Sequence, residues 1–260
     1  MINVEIIADS TNKEGNRLTT FKLEYPRYIH SELLTHRVFS RNSSSSRAIP
    51  VETMIQKTID NPVEPIFMAN QKGMQADFKL KPYQEEGAIA IWEKAHLQAI
   101  ESAKLLIKQG VHKQIANRLL EPFSHIAVVL SGTEFENFFK LRCHPSAQQE
   151  IQVLATEMQR CYNKYEPNFV DYGQYHLPFI TNKEKDLTES EKIMVSVARC
   201  ARVSYYNFEG KNSLEDDARL FNLLVNSGHM SPLEHIANPS LYKPFWANFK
   251  GWKQLRRNYE

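Results

Sequence analysis

The side chains best suited to chemistry lie in three short runs. The first is His36-Arg37-x-x-Ser40-x-Asn42-x-x-Ser45-Ser46-Arg47, in which two guanidiniums and a histidine flank a row of hydroxyls. Planar guanidinium forks match phosphate oxygens, and serine hydroxyls and loop amides add hydrogen bonds, so the run suits a phosphorylated small molecule. It reads equally as a solvated serine-rich loop. The second run is Asn137-Phe-Phe-Lys-Leu-Arg142, followed by Ser146, Gln148 and Glu150. This is a polar cluster at a helix–helix corner, where Arg142 is either a ligand-binding cation or a surface charge. The third joins Ala201-Arg-Val-Ser204 with Gly228-His229-Met-Ser231-Pro-Leu-Glu234-His235. Ser231 before a proline is a good helix N-cap. A histidine beside such a terminus also makes a place for an anion.

Several chemistries lack their signatures. There is no G-x-G-x-x-G, no Walker lysine motif and no Gly-x-Ser-x-Gly elbow. The three cysteines form no Cys-x-x-Cys pair, and none has a motif that marks a nucleophile. The nine histidines include no His-Glu-x-x-His, so no metal site is expected. An odd cysteine count suits a reducing, cytoplasmic setting, and Met1–Ser10 does not read as a signal peptide. A net charge of +2 over 260 residues gives no field for a nucleic-acid polymer or a membrane surface. No apolar run is long enough to span a bilayer.

Periodicity and caps supply the elements that must position these runs. Strands are predicted over Ile2–Ala8, Leu18–Glu24 and Ile126–Leu130. Helices are predicted from Pro26 to about Arg37, over Val51–Ile59, from Pro82 to Gln109, over Lys113–Leu120, over Glu134–Arg142 with Thr133 as cap, and over Ala147–Tyr165. The apolar stripe of the long helix reads Ala88, Ile91, Ala95, Leu97, Ala99, Ala103, Leu106. Residues 38–50 and 61–81 read as loops, and Glu166–Asp186 as a seam. Beyond it, Thr188-Glu-Ser-Glu191 forms a capping box for a helix through Ala201. Ser213 caps Leu214–Asn226, Gly228 stops it, and Pro244–Arg257 reads as a closing helix. The fold class is helix-rich α+β around one mixed core.

Together the three runs resemble the flavin-dependent thymidylate synthase family (ThyX), whose hallmark is R-H-R-x-x-S-x-N-x-x-S-x-R. Every fixed position but the first stands here, with Thr35 in place of the first arginine. Gly110–Pro122 is similar to the helix before that family's central strand. Asn137–Gln152 resembles its N-F-x-x-x-R…A-Q-x-E-I-Q run, and Ala201–Ser204 and Gly228–His235 resemble its A-R-V-S and G-H-x-[ST]-P-x-E-H. The last two motifs usually precede the hallmark but here follow it. The resemblance therefore implies a circularly permuted ThyX-like mixed helix and antiparallel-sheet fold. Residues 1–260 would form a single catalytic domain, with 1–165 carrying the nucleotide and flavin loop and 188–260 the moved segment.

By the resemblance, His36, Arg37, Asn137, Ser204, His229, Ser231 and Glu234 match positions that touch FAD. Ser45, Ser46, Arg47 and Arg142 match positions that hold deoxyuridylate, with Arg118 a further nucleotide-binding match. Arg142 and Ser45 are the catalytic candidates, because charge building on the uracil carbonyl oxygens calls for a fixed donor. The implied reaction converts dUMP to dTMP, with methylenetetrahydrofolate as one-carbon donor and NADPH as reductant through FAD. It would run in a homotetramer with shared active sites. The family has Gln at Glu32, Arg at Thr35 and often Glu at Ser43. These departures keep open a related enzyme that hydroxymethylates or otherwise modifies dUMP or dCMP. A non-catalytic flavin- or nucleotide-binding protein stands as the other alternative. The basic, Gln-bearing run Asn248–Arg257 is a candidate replacement for the missing Gln and Arg.

Overall fold

The computed structural model describes residues 1–73, 75–205, 213–240 and 245–260. A central sheet is laid down by β1 (Asn3–Thr11) and β2 (Arg17–Pro26), an antiparallel hairpin. Asn12 closes its turn, with Oδ1 accepting from the N–H groups of Glu14 and Asn16 at 3.1 and 2.9 Å. Two further strands, β3 (Ser40–Ser43) and β4 (His125–Gly132), and the short β5 (Asn168–Phe169) complete the order β3-β4-β2-β1-β5, leaving one edge of β3 free.

Strand alternation gives the sheet two buried faces. Phe21, Leu23, Tyr25, Val128 and Leu130 point to one, where α5 (Glu136–Arg142) and α6 (Gln149–Lys164) cover them. The apolar positions Ile151, Leu154, Ala155 and Met158 recur on one side of α6. Val129 points to the other face, against α7 (Glu189–Arg202) and α8 (Leu214–Asn226). Both of these helices start as their sequences predict, in capping boxes Thr188/Glu191 and Ser213/Asp216. The chain leaves α8 at Gly228, whose φ of +72° is a left-handed conformation. A third cluster packs α2 (Val51–Asp60), α3 (Pro82–Lys108) and α4 (Lys113–Ala116) around Met54, Ile100 and Ala103.

The segment after residue 170 is fastened to the sheet by a buried polar row. Thr20, Ser131 and Ser40 stand opposite one another on β2, β4 and β3. His176 bonds Thr20 and Ser10 at 2.8 Å each, and His235 bonds Ser131 at 2.8 Å. Gln254 donates to Ser40 at 2.9 Å. Burial pushes both imidazoles down to about 3. The unfolded chain therefore binds protons at these sites, below the ordinary histidine range, that the folded chain refuses. Stability should fall as pH drops from about 6 toward 4, by about 1.4 kcal/mol per pH unit for each histidine. Urea midpoints measured across that range check this; a flat profile from pH 6 to 4 contradicts it.

Six expectations need correction. The closing segment is not a helix. It forms the short pair β7 (Phe245–Trp246) and β8 (Phe249–Lys250), and β9 (Trp252–Gln254) pairs with β6 (Ala237–Pro239) before a 3-10 turn at Leu255–Asn258. Pro244, its expected first residue, lies outside the described residues. Phe249 and Trp252 are fully buried, and Gly251 between them has φ +72°. A Cβ on Gly251 would come within 2.3 Å of the Asn16 amide. The helix expected from Pro26 is only a 3-10 turn, Arg27–Ile29, and α1 (His30–Leu34). The loop at 38–50 contains β3. Thr133 is no cap; its hydroxyl accepts from the N–H of Lys250. In α3, Ile91 and Leu97 are exposed. Ala99, Ala103 and Leu106 of the expected stripe do pack, joined by Trp92, whose ring meets Phe123 at a tilt, and His96, which bonds Thr58 at 2.8 Å. One mixed core is in fact several clusters split by the sheet.

Candidate functional site

The free edge of β3 opens onto a cleft of about 970 Å³. Its walls come from the hallmark run and from the segment distant in sequence. Asn42, Ser43 and Arg47 face Ser204 and the His229–Glu234 turn, with Leu220, Leu224 and Met230 as an apolar floor. The hallmark loop is rigidly built rather than solvated. Ser44 is buried, its hydroxyl accepting from Ala127 N–H at 3.1 Å and its carbonyl taking Arg27 at 3.1 Å. Asn117 Nδ2 donates to the carbonyls of Ser46 and Ile49 at 2.7 and 2.9 Å. Ser45 N–H donates to the Ser204 carbonyl at 3.2 Å, which ties the two distant segments together at the cleft. Arg256, from the final 3-10 turn, enters the same cleft and is ion-paired with Glu234 and Glu260.

Arg142 sits apart from this cleft. Its Nε donates to His36 Nε2 at 2.9 Å, Nη1 pairs with Glu32 at 3.3 Å, and Nη2 donates to the Thr35 hydroxyl at 3.1 Å. Glu32 and Thr35, two of the positions that depart from the ThyX pattern, both end on this guanidinium. A donor aimed at Nε2 leaves His36 neutral with its proton on Nδ1. Burial, then the Arg142 charge, holds His36 below the ordinary histidine range. Burial raises the Glu32 carboxyl, and Arg142 opposes that shift. Arg37 and Asn137 lie exposed near this cluster in sequence, without side-chain partners among the described residues.

A third group centres on Glu121. It accepts from Ser46 at 2.6 Å and Arg118 at 2.8 Å, with Arg27 3.8 Å away. Ser46 is thus buried against a carboxylate rather than turned to the cleft. Of the twelve site residues read from sequence, the cleft lining contains Arg47, Ser204, His229, Ser231 and Glu234. It omits Arg142, His36, Arg37, Asn137, Ser46 and Arg118, and Ser45 stands at its margin. Arg256, from the run Asn248–Arg257 offered as a replacement for the missing Gln and Arg, also lines it, and so does Arg41, which was not among the candidates. Among the described residues there is no group of three or more His, Cys, Asp or Glu fit for a metal ion, and no helix is long and apolar enough to cross a membrane.

Guanidiniums, a histidine and hydroxyls above a leucine floor define a site for an anionic ligand with an apolar or aromatic part. The family described as Thymidylate synthase complementing protein (Thy1) matches residues 18–168, more than half of the chain, and the protein belongs to that family. The structure is similar to that of a UMP/dUMP methylase, PolB from Streptomyces cacaoi. With 5-Br UMP bound, that structure gives a TM-score of 0.51 at 16% identity, covering 63% of this chain and 89% of the other. With 5-Br dUMP the TM-score is 0.50 at 16% identity, over 63% and 91%. At this identity the likeness establishes the fold. No curated protein matches the chain.

Proposed function

We propose that the protein is a flavin-dependent thymidylate synthase that converts dUMP to dTMP with methylenetetrahydrofolate and NADPH. The observation carrying this reading is the cleft itself. It joins the arginine–serine loop inside the Thy1 match to Ser204, His229, Ser231 and Glu234, which lie beyond it. The methylase neighbours, with UMP and dUMP analogues bound, add support for a pyrimidine nucleotide as substrate.

The donor set fits FAD. His229 and the Ser204 and Ser231 hydroxyls suit a pyrophosphate and ribityl chain. Glu234 can accept from sugar hydroxyls, and the leucine floor suits an aromatic ring. When bound, FAD supplies the hydride that reduces the transferred one-carbon unit. The protein's own part is positioning and charge. Arg142 donates to a pyrimidine carbonyl oxygen as negative charge develops there, and Ser45 and Arg47 hold the nucleotide.

Arg142, His36, Arg37 and Asn137 do not line their own chain's cleft. We therefore place the complete active site between protomers, in a homotetramer in which one subunit's Arg142 cluster meets another's cleft. The exposed apolar side chains of α3, Ile91 and Leu97 among them, support such an assembly. The motif order supports a circular permutation, with 188–260 supplying the part that usually comes first. A second reading, modification of dCMP or hydroxymethylation, is favoured by one observation only: Glu32 puts a carboxylate on the guanidinium meant for the base. Titrating FAD into the purified protein tests the cofactor. Saturable quenching of flavin fluorescence and a bound-flavin absorption spectrum are expected; a colourless protein that binds no added FAD overturns the reading.

A further inference from the structure

Arg41 occupies a position that the ThyX hallmark leaves free, between Ser40 and Asn42 on edge strand β3. It is half-buried and lines the cleft. Its Nη1 donates to two backbone carbonyls, of His36 and Phe39, at 3.1 Å each. That pins the guanidinium plane and leaves the Nε–Nη2 edge with no protein acceptor among the described residues. This is the edge that grips two oxygens of a phosphate side-on.

The charge pattern isolates it further. Ten arginines (17, 27, 118, 142, 160, 199, 202, 219, 256 and 257) stand within 4.0 Å of a carboxylate. Those without one among the described residues are Arg37, Arg41 and Arg47, all in the hallmark run. Arg37 and Arg47 are exposed and solvated, whereas Arg41 is partly withdrawn from water. A half-buried cation without a counter-charge is unfavourable until an anion arrives. Arg47 lines the same cleft, so two unpaired guanidiniums converge on one space.

We propose that Arg41 is a phosphate-binding residue of this cleft, its free Nε–Nη2 edge taking the phosphate oxygens of the nucleotide ligand. This deepens the functional reading above and rests on the cleft accepting a phosphorylated ligand. Two sources share that chemistry, the pyrophosphate of FAD and the monophosphate of dUMP, and the test separates them. FAD and riboflavin would be titrated by fluorescence, and dUMP and deoxyuridine by calorimetry, into the wild-type protein, R41Q and R41K.

For R41Q we expect at least a tenfold loss of affinity for FAD or for dUMP, whichever phosphate Arg41 holds. Riboflavin and deoxyuridine should bind as before, the melting temperature should be unchanged, and R41K should recover part of the loss. Unaltered binding of both FAD and dUMP by R41Q overturns the proposal and leaves the functional reading standing. An equal loss for phosphorylated and unphosphorylated ligands overturns it too. Should the wild-type protein bind neither FAD nor dUMP, the functional reading fails. Inorganic pyrophosphate then decides for Arg41: binding lost in R41Q upholds it, and no difference ends it.

Discussion

Replacing Arg142 with alanine is expected to lower kcat by about two to three orders of magnitude while leaving the fold intact. The side chain leaves the last turn of α5, is partly exposed, and packs into none of the apolar clusters. Its interactions are polar and directional: Nε on His36, Nη1 on Glu32, Nη2 on Thr35. These hold the guanidinium in one orientation, which is what a fixed donor toward developing oxyanion charge requires. The substitution removes that donor and leaves Glu32 without its cation. Lysine is not expected to rescue, because a point charge cannot span the three partners the fork now spans. Steady-state turnover of the flavin-loaded variant, with far-UV circular dichroism and a thermal melt as controls, measures this. Near-normal kcat contradicts the assigned role.

The largest loss of stability is expected for Asp217→Ala. Asp217 on α8 is buried and ion-paired with Arg202, the last residue of α7. Removing one partner leaves a buried guanidinium without its counter-charge, a change that costs about 3–5 kcal/mol. The pair joins the two helices that cover one face of the sheet, and α8 also supplies Leu220 and Leu224 to the cleft floor. Affinity for flavin should therefore fall together with the denaturation midpoint. Equilibrium urea unfolding reads the first effect and fluorescence titration the second. By contrast, the exposed Arg160–Glu157 pair should be dispensable. A midpoint unchanged in Asp217→Ala would show that the pair does not hold α7 to α8.

What was legible in the sequence was mostly local. Thr188/Glu191 and Ser213/Asp216 cap their helices because a capping box needs only a hydroxyl and a carboxylate three residues apart. The strand at Ile126–Leu130 was clear because both its faces are buried. The C-terminal run misled because aromatic and basic residues suggested an amphipathic helix. Gly251 instead takes a left-handed turn that lets Phe249 and Trp252 both point inward. On α3 only part of the stripe was read, because Trp92 and His96 pack their rings against Phe123 while carrying polar atoms.

The site shows the same divide. Spacing alone gathered the hallmark residues into one motif. Strand alternation and tertiary contacts then deal them to different groups, with Arg47 facing the cleft, Ser46 on Glu121 and His36 on Arg142. The meaning of Glu32 and Thr35 was hidden for a similar reason. Their shared partner lies more than a hundred residues away in the chain.

The most direct test of the central claim is the identity of the product. Purified protein would be incubated with FAD, NADPH, methylenetetrahydrofolate and dUMP, and the nucleotide analysed by mass spectrometry. The account predicts dTMP, formed only when all four are present. Recovery of unmodified dUMP from protein shown to hold flavin, or of a hydroxymethylated nucleotide in place of dTMP, would contradict it.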